Sequence, residues 1–246
     1  MSLLDETVEI PRRTMTLFFM IDTSGSMAGS KIGAVNDAVA NVLPMLEEIS
    51  AENPDAEIKV AALEFSTTCH WLYNEPKPAS EFVWQDVQAN ALTSLGEACK
   101  ELSSKLSRSG FMKSASGSFA PAIILLSDGA PTDDFASGLA MLKQNNWFKA
   151  AIKVAVAIGD DADKEVLAQF TGTNEAVFTV HNIEALKQVI RIVAVTSSQI
   201  GSKSSTAGDT TKQEQVIAEV KSAVDNIGGA EVASAPSSTV SYDDWD

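Results

Sequence analysis

Leu17-Phe18-Phe19-Met20-Ile21-Asp22-Thr23-Ser24-Gly25-Ser26-Met27 runs an unbroken apolar stretch into a carboxylate and two serine hydroxyls. Residues 14–21 are rich in strand-forming side chains and lack the three-and-four spacing of a surface helix. Continuous hydrophobicity without alternation predicts a strand covered on both faces, as in a parallel sheet layered between helices. Such a strand would deliver Asp22, Ser24 and Ser26 to the edge of the sheet. An oxygen-only ligand set suits a small hard cation, Mg²⁺ first, with Mn²⁺ or Ca²⁺ as alternatives. The turn holds too few charges to fill such a shell, so one position would be left for another group. The same residues also read as a plain strand-to-helix connection, since Asp and Ser cap helices and glycine relaxes the backbone.

Working outward, Ile32, Val35, Val39, Val42, Leu46 and Ile49 recur every three or four residues and predict a long amphipathic helix. Pro44 inside it is expected to kink it. Strands are predicted over residues 57–66, 69–72, 120–126, 150–158 and 176–180, and helices over 95–106, 135–144, 164–170 and 183–195. Pro76-Lys77-Pro78 reads as a loop. Strands alternating with helices imply an α/β fold, an open doubly wound and mostly parallel sheet with helices on both faces. Ligands in such sheets bind beyond the carboxyl ends of the strands, where strand order switches. Asp22 ends one predicted strand, and Ser127-Asp128-Gly129 follows another.

The length of 246 residues suits one domain with a tail. A net charge of −15 argues against nucleic acid or an anionic membrane as partner and favours cations and basic protein surfaces. Cys69 and Cys99 form no closely spaced pair, which argues against a thiolate zinc site or a disulfide framework. Neither a signal-peptide pattern nor an apolar stretch of membrane-spanning length is present, so a cytoplasmic location is expected.

Asp22-x-Ser24-x-Ser26, Thr93 in Thr93-Ser94-Leu95-Gly96, and Asp128 in Ser127-Asp128-Gly129 resemble, in order, the metal-ion-dependent adhesion site of von Willebrand factor A (vWA) domains. The resemblance spans residues 14–198 and includes the order of strands and helices. It implies a Rossmann-like vWA fold, with Ser24 and Ser26 as direct metal ligands and Thr93 as a direct or water-mediated one. It further implies that Asp22 and Asp128 hold metal-bound waters, and that a protein partner supplies an Asp or Glu carboxylate. Many such domains carry paired glycines before the threonine, where this chain has Asn90-Ala91-Leu92, a backbone less free to shift when a ligand binds. Residues 127–134 and Val35-Asn36-Asp37 look most like the bacterial TerY-like group linked to tellurium resistance. That group implies protein kinases and PP2C-type phosphatases as partners and a stress-signalling role, but its cysteine-rich zinc segment has no counterpart after Cys99.

Asp133 and Asp134 are expected to cap the helix C-terminal to them, and Asp160, Asp161 and Asp163 to form a solvated loop and cap. His70 and His181 have no companion at ligand spacing and read as structural or surface residues. A Mg²⁺-dependent phosphohydrolase using Asp22 would need a second carboxylate where Ser24 stands, and a lysine near the later acidic loop that the sequence does not evidently supply. A role as the vWA subunit of an ATPase or chelatase assembly would place the phosphate-binding loop in another chain. A non-catalytic, metal-dependent interaction module is the reading preferred.

Residues 196–211 have the Ser/Thr/Gly composition of a flexible linker and a possible kinase target. A helix over 212–227 is predicted from a capping box at Thr211 and Glu214 and an apolar stripe. Ser241-Tyr242-Asp243-Asp244-Trp245-Asp246 joins aromatics to carboxylates, and one use for it is to supply the missing carboxylate to a metal site. Residues 1–13 read as an N-terminal segment and 199–246 as linker and acidic tail.

Overall fold

β1 (Arg13–Asp22) is buried from Met15 to its end, and its side chains divide strictly between two apolar layers. Met15, Leu17, Phe19 and Ile21 face one layer, and Phe18 and Met20 the other. This alternation across a doubly covered strand is what the period-two geometry of an extended chain requires. The computed structural model describes residues 12–114, 116–202, 211–224 and 230–232.

The remaining strands are β2 (Ala56–Phe65), β3 (Cys69–Trp71), β4 (Lys77–Pro78), β5 (Ala122–Ser127), β6 (Ile152–Ile158), β7 (Val177–Val180) and β8 (Ala230–Val232). They form one sheet in the order β3-β2-β1-β5-β6-β7-β8, with β4 also paired to β2. β2, β1, β5, β6 and β7 run parallel, while β3 and β4 lie antiparallel to β2 and β8 lies antiparallel to β7. Strand order reverses at β1, which has β2 on one side and β5 on the other. A crevice at the carboxyl ends of β1 and β5 is therefore the expected ligand position.

α1 (Ser30–Glu52), α6 (Ile183–Ser202) and α7 (Lys212–Val224) cover one face with Val35, Val39, Val42, Leu186, Val189, Val193, Val216 and Val220. α2 (Leu95–Lys105), α3 (Phe135–Gln144), α4 (Asn146–Ala150) and α5 (Lys164–Thr171) cover the other. Pro44 lies inside α1, which continues through it to Glu52.

Three expectations need correction. Lys77–Pro78 is a short antiparallel strand on β2 rather than a loop; at a sheet edge a proline need only offer its carbonyl. α6 runs through Ser202, so residues 196–202 are not linker. Thr196 is buried there and its hydroxyl donates to Glu219 of α7, so packing overrides a Ser/Thr-rich composition. The helix from Lys212, described as far as Val224, is a packed part of the domain rather than of the tail, because its Val216 and Val220 are fully buried. Its capping box forms as expected, with Thr211 N–H donating to Glu214 Oε2 and Glu214 N–H to Thr211 Oγ1. α4 and β8 were not foreseen: one is a single short helix and the other three residues long, too brief to show a period. Residues 1–11 and the acidic-aromatic end lie outside the described residues.

Candidate metal centre

Asp22 ends β1 fully buried, and both of its oxygens are engaged. Oδ1 accepts the Ser24 backbone N–H at 2.9 Å, and Oδ2 accepts the Ser127 hydroxyl at 2.6 Å. Ser127 Oγ in turn accepts the Gly129 N–H at 2.8 Å, which fixes the turn carrying Asp128. The Ser24 and Ser26 hydroxyls lie 3.0 Å apart, with Ser24 buried and Ser26 exposed. Burial raises the Asp22 carboxyl above its ordinary range; the Ser127 and Ser24 bonds oppose the rise and the Asp128 charge adds to it. A cation placed here would oppose that rise by favouring the charged carboxylate.

The threonine loop is stitched to both neighbours by backbone bonds. Asn90 N–H donates to Thr23 O at 2.7 Å and Gly25 N–H to Ala91 O at 3.0 Å. Thr132 N–H donates to Thr93 O at 2.8 Å, and the Thr132 hydroxyl bonds both the N–H and the carbonyl of Thr93. Thr93 is buried between them. Ala91 takes a left-handed φ of +62°, a conformation that favours glycine, at the place where the sequence lacks the paired glycines.

Asp128 contributes the decisive atom. Its Oδ1 is buried without a hydrogen-bond partner, and it is the only carboxylate oxygen among the described buried atoms in that state. Buried polar atoms are nearly always satisfied, so this oxygen fits a site meant to meet a metal or its water. Among the described residues no three His, Cys, Asp or Glu side chains gather as a metal cluster. The cup offers two carboxylates and hydroxyls instead, a donor set for a hard cation.

Lys31 was missed from sequence. Its Nζ lies 3.4 Å from Asp128 Oδ2 and 2.9 Å from Asp161 Oδ1. Burial works against its charge, but Asp161 and Asp128 outweigh that and hold its pKa above the ordinary value. Gly159, at φ +97°, makes room for this pair, since a Cβ there would meet Lys31 Cε at 2.6 Å and Asp161 Oδ1 at 2.7 Å. The lysine that a phosphohydrolase would want near Asp128 is therefore present, contrary to expectation. A charged residue just after the Ser26 turn was the only sequence signal for it.

The flanking acids divide their work. Asp134 caps α3 through Ser137 N–H, but Asp133 turns back to accept the Gly96 and Glu97 N–H groups of α2, correcting its assignment to α3. Asp163 caps α5 through Val166 N–H. His70 pairs with Glu64 and His181 with Asp160, away from the serine hydroxyls' bonds.

A model of the von Willebrand factor type A domain matches residues 16–192. The chain belongs to the von Willebrand factor type A family. No curated protein sequence matches it. Solved vWA-fold structures do. The pilus adhesin SpaC of Lactobacillus rhamnosus GG, in its open conformation, aligns with a TM-score of 0.60 at 14% identity, over 77% of this chain and 30% of the adhesin. A vWA protein of Catenulispora acidiphila aligns with a TM-score of 0.55 at 16% identity, over 76% of this chain and 43% of that one. Proximal thread matrix protein 1 of the mussel byssus, with a zinc-occupied adhesion motif, aligns with a TM-score of 0.56 at 15% identity, over 76% of this chain and 48% of that one. The vWA chain thus spans less than half the length of these structures, and at such identities the likeness is one of fold.

Proposed function

We propose that this vWA domain is a metal-dependent protein-interaction module. Ser24, Ser26 and Thr93 would present hydroxyl oxygens to Mg²⁺, with Mn²⁺ or Ca²⁺ as alternatives, while Asp22 and Asp128 act through bound waters. A protein partner's Asp or Glu carboxylate would take the remaining position. The observation that carries this reading is the unpartnered, buried Asp128 Oδ1 beside an Asp22 whose two oxygens are already bonded. When bound, the metal supplies an electrophilic position; the chain's own part is to hold the oxygens apart at three stitched loops.

Catalysis is the weaker reading. Both histidines are engaged with carboxylates, so Ser24 and Ser26 have no evident base. Lys31 meets one need of an aspartyl-phosphate phosphohydrolase, but Ser24 still stands where its second carboxylate belongs. Membership of an ATPase or chelatase assembly would require a separate ATPase chain. The charge of −15 favours a protein partner over nucleic acid or an anionic membrane, and no helix among the described residues is long and apolar enough to cross a membrane. A place in bacterial tellurium or stress signalling, with kinase and PP2C-type phosphatase partners, rests on the resemblance of residues 127–134 and of Val35-Asn36-Asp37 alone, and a cytoplasmic setting on the sequence pattern alone.

The test is a melting curve with and without Mg²⁺, Mn²⁺ or Ca²⁺. A ligand at about a hundred times its Kd stabilises by ~2.7 kcal/mol, so the wild type should melt several degrees higher and EDTA should reverse the shift. Asp128→Asn and Ser24→Ala should abolish it. A wild type whose melting ignores all three metals would overturn the reading.

A further inference from the structure

Beside the metal cup, on the same sheet edge, a cleft of about 510 Å³ opens beyond the carboxyl ends of β6 and β7. Ala34, Ile158, Val180, Ile183 and Leu186 give it apolar walls, and Lys31 is the side chain it shares with the cup. Its size lies within the roughly 300–1,000 Å³ of small-ligand sites. Ile183, on its wall, is one of four large apolar side chains exposed among the described residues. The charges at its mouth are paired within the protein, Asp161 to Lys31 and Asp160 to His181. An apolar group entering it therefore leaves no unpaired charge behind.

β8 starts beside this cleft, Ala230 pairing with Val180 on its wall, and runs away from it. Val232 of β8 pairs with Phe178 of β7, two residues below Val180 on the cleft wall, a rise of about 7 Å. Residues 233–240 can span up to ~27 Å before Ser241, more than enough to return. Ser241 leads into Tyr242-Asp243-Asp244-Trp245-Asp246, aromatics interleaved with carboxylates. In an extended segment Asp243 and Trp245 face the same side about 7 Å apart. On an acidic protein, a metal-loaded cup flanked by Lys31 is a local exception to which an acidic segment is attracted.

We propose that residues 241–246 dock across the cup and the cleft of their own chain, with the Trp245 ring in the cleft and the Asp243 carboxylate at the metal. The segment is then a built-in competitor for the carboxylate-bearing partner, and the inference rests on the metal-dependent reading above. An intramolecular segment that occupies the site most of the time weakens an external ligand by the inverse of the free fraction.

The test uses full-length chains and a fluorescein-labelled peptide of residues 236–246, followed by fluorescence anisotropy, with Mg²⁺ binding measured separately by calorimetry. Trp245→Ala, whose site is uncovered, should bind the peptide in Mg²⁺ but not in EDTA. The wild type should bind it about tenfold more weakly, the outcome when the segment is closed for all but a tenth of the time. Adding Ala34→Trp or, as a second blocking variant, Ile183→Asp to Trp245→Ala should abolish peptide binding while leaving Mg²⁺ binding intact. Normal Mg²⁺ binding without peptide binding to Trp245→Ala would overturn the docking and spare the metal reading. Equal binding of a scrambled peptide, or binding that survives EDTA, would overturn it too. Failure to bind Mg²⁺ at all would remove both.

Discussion

Lys31 places a positive charge in the first turn of α1, where the helix dipole opposes it by about 0.3–1 kcal/mol. Its two carboxylate partners offset that cost, and one of them, Asp128, belongs to the metal cup. A divalent cation would have to share Asp128 with this ammonium group. Replacing Lys31 by Met should therefore tighten Mg²⁺ or Mn²⁺ binding, by about three- to tenfold, or ~0.6–1.4 kcal/mol. Asp161→Asn, which frees the ammonium for Asp128, should weaken it. Isothermal titration of the two variants beside wild type decides the matter; equal affinities in all three would show that the lysine leaves the site alone. Sequence could not have shown this pairing, because Lys31 and Asp128 are 97 residues apart and meet only at the sheet edge. Asp22, Ser24, Ser26, Thr93 and Asp128 could be named as candidates because each sits in a short motif beside a strand or helix end.

Among elements, the long ones were found because burial repeats many times along them, as the eight buried positions of α1 do, although the last turns of α6 were read as linker. The shortest, α4, β4 and β8, were not, and close approaches between elements left no periodic trace. α2 and α3 meet at two glycines: a Cβ on Gly138 would lie 2.1 Å from the Gly96 carbonyl oxygen. Gly138→Ala should cost about 1–3 kcal/mol as an overpacked contact. Gly33→Ala, in α1 with open space around it, should instead gain about 0.4–1 kcal/mol. Urea unfolding of both checks the pair, and equal midpoints would refute the contact. On β6, burial lowers the Lys153 ammonium to about 8, although its Nζ donates to the Phe148 and Ala151 carbonyls. A lysine depressed in the folded state binds fewer protons there than in the unfolded chain between pH ~8 and ~10.5, so stability should rise with pH across that window. The ¹³Cε resonance of Lys153 should titrate near the lower limit; a midpoint at the ordinary lysine value would contradict the burial argument.

For the whole molecule, the question is where the folded unit ends. The family match stops at residue 192, and the Ser/Thr-rich composition after Val195 reads as linker. The structure instead carries the chain on through α7 and β8, and four contacts tie them to the rest of the domain. Val216, Ile217 and Val220 are buried, and Glu219 accepts from Thr196 of α6. Gln213 acts as a substitute strand residue, accepting the Lys153 N–H at 2.8 Å and donating to its carbonyl at 2.7 Å. β8 closes the β7 edge, which would otherwise offer unpaired backbone groups to other chains. Burying two or three aliphatic side chains contributes ~3–9 kcal/mol before the entropy of ordering the segment is subtracted. A chain cut after Ser202 should therefore unfold at a clearly lower denaturant midpoint and self-associate through β7. In EDTA, where residues 241–246 have no metal to dock on, ending the chain after Val232 should leave both properties as in the full chain. Urea titration and light scattering separate these outcomes. If the cut after Ser202 changed neither, α7 and β8 would be ornaments on a domain that is complete at α6, and the composition would have marked the boundary correctly.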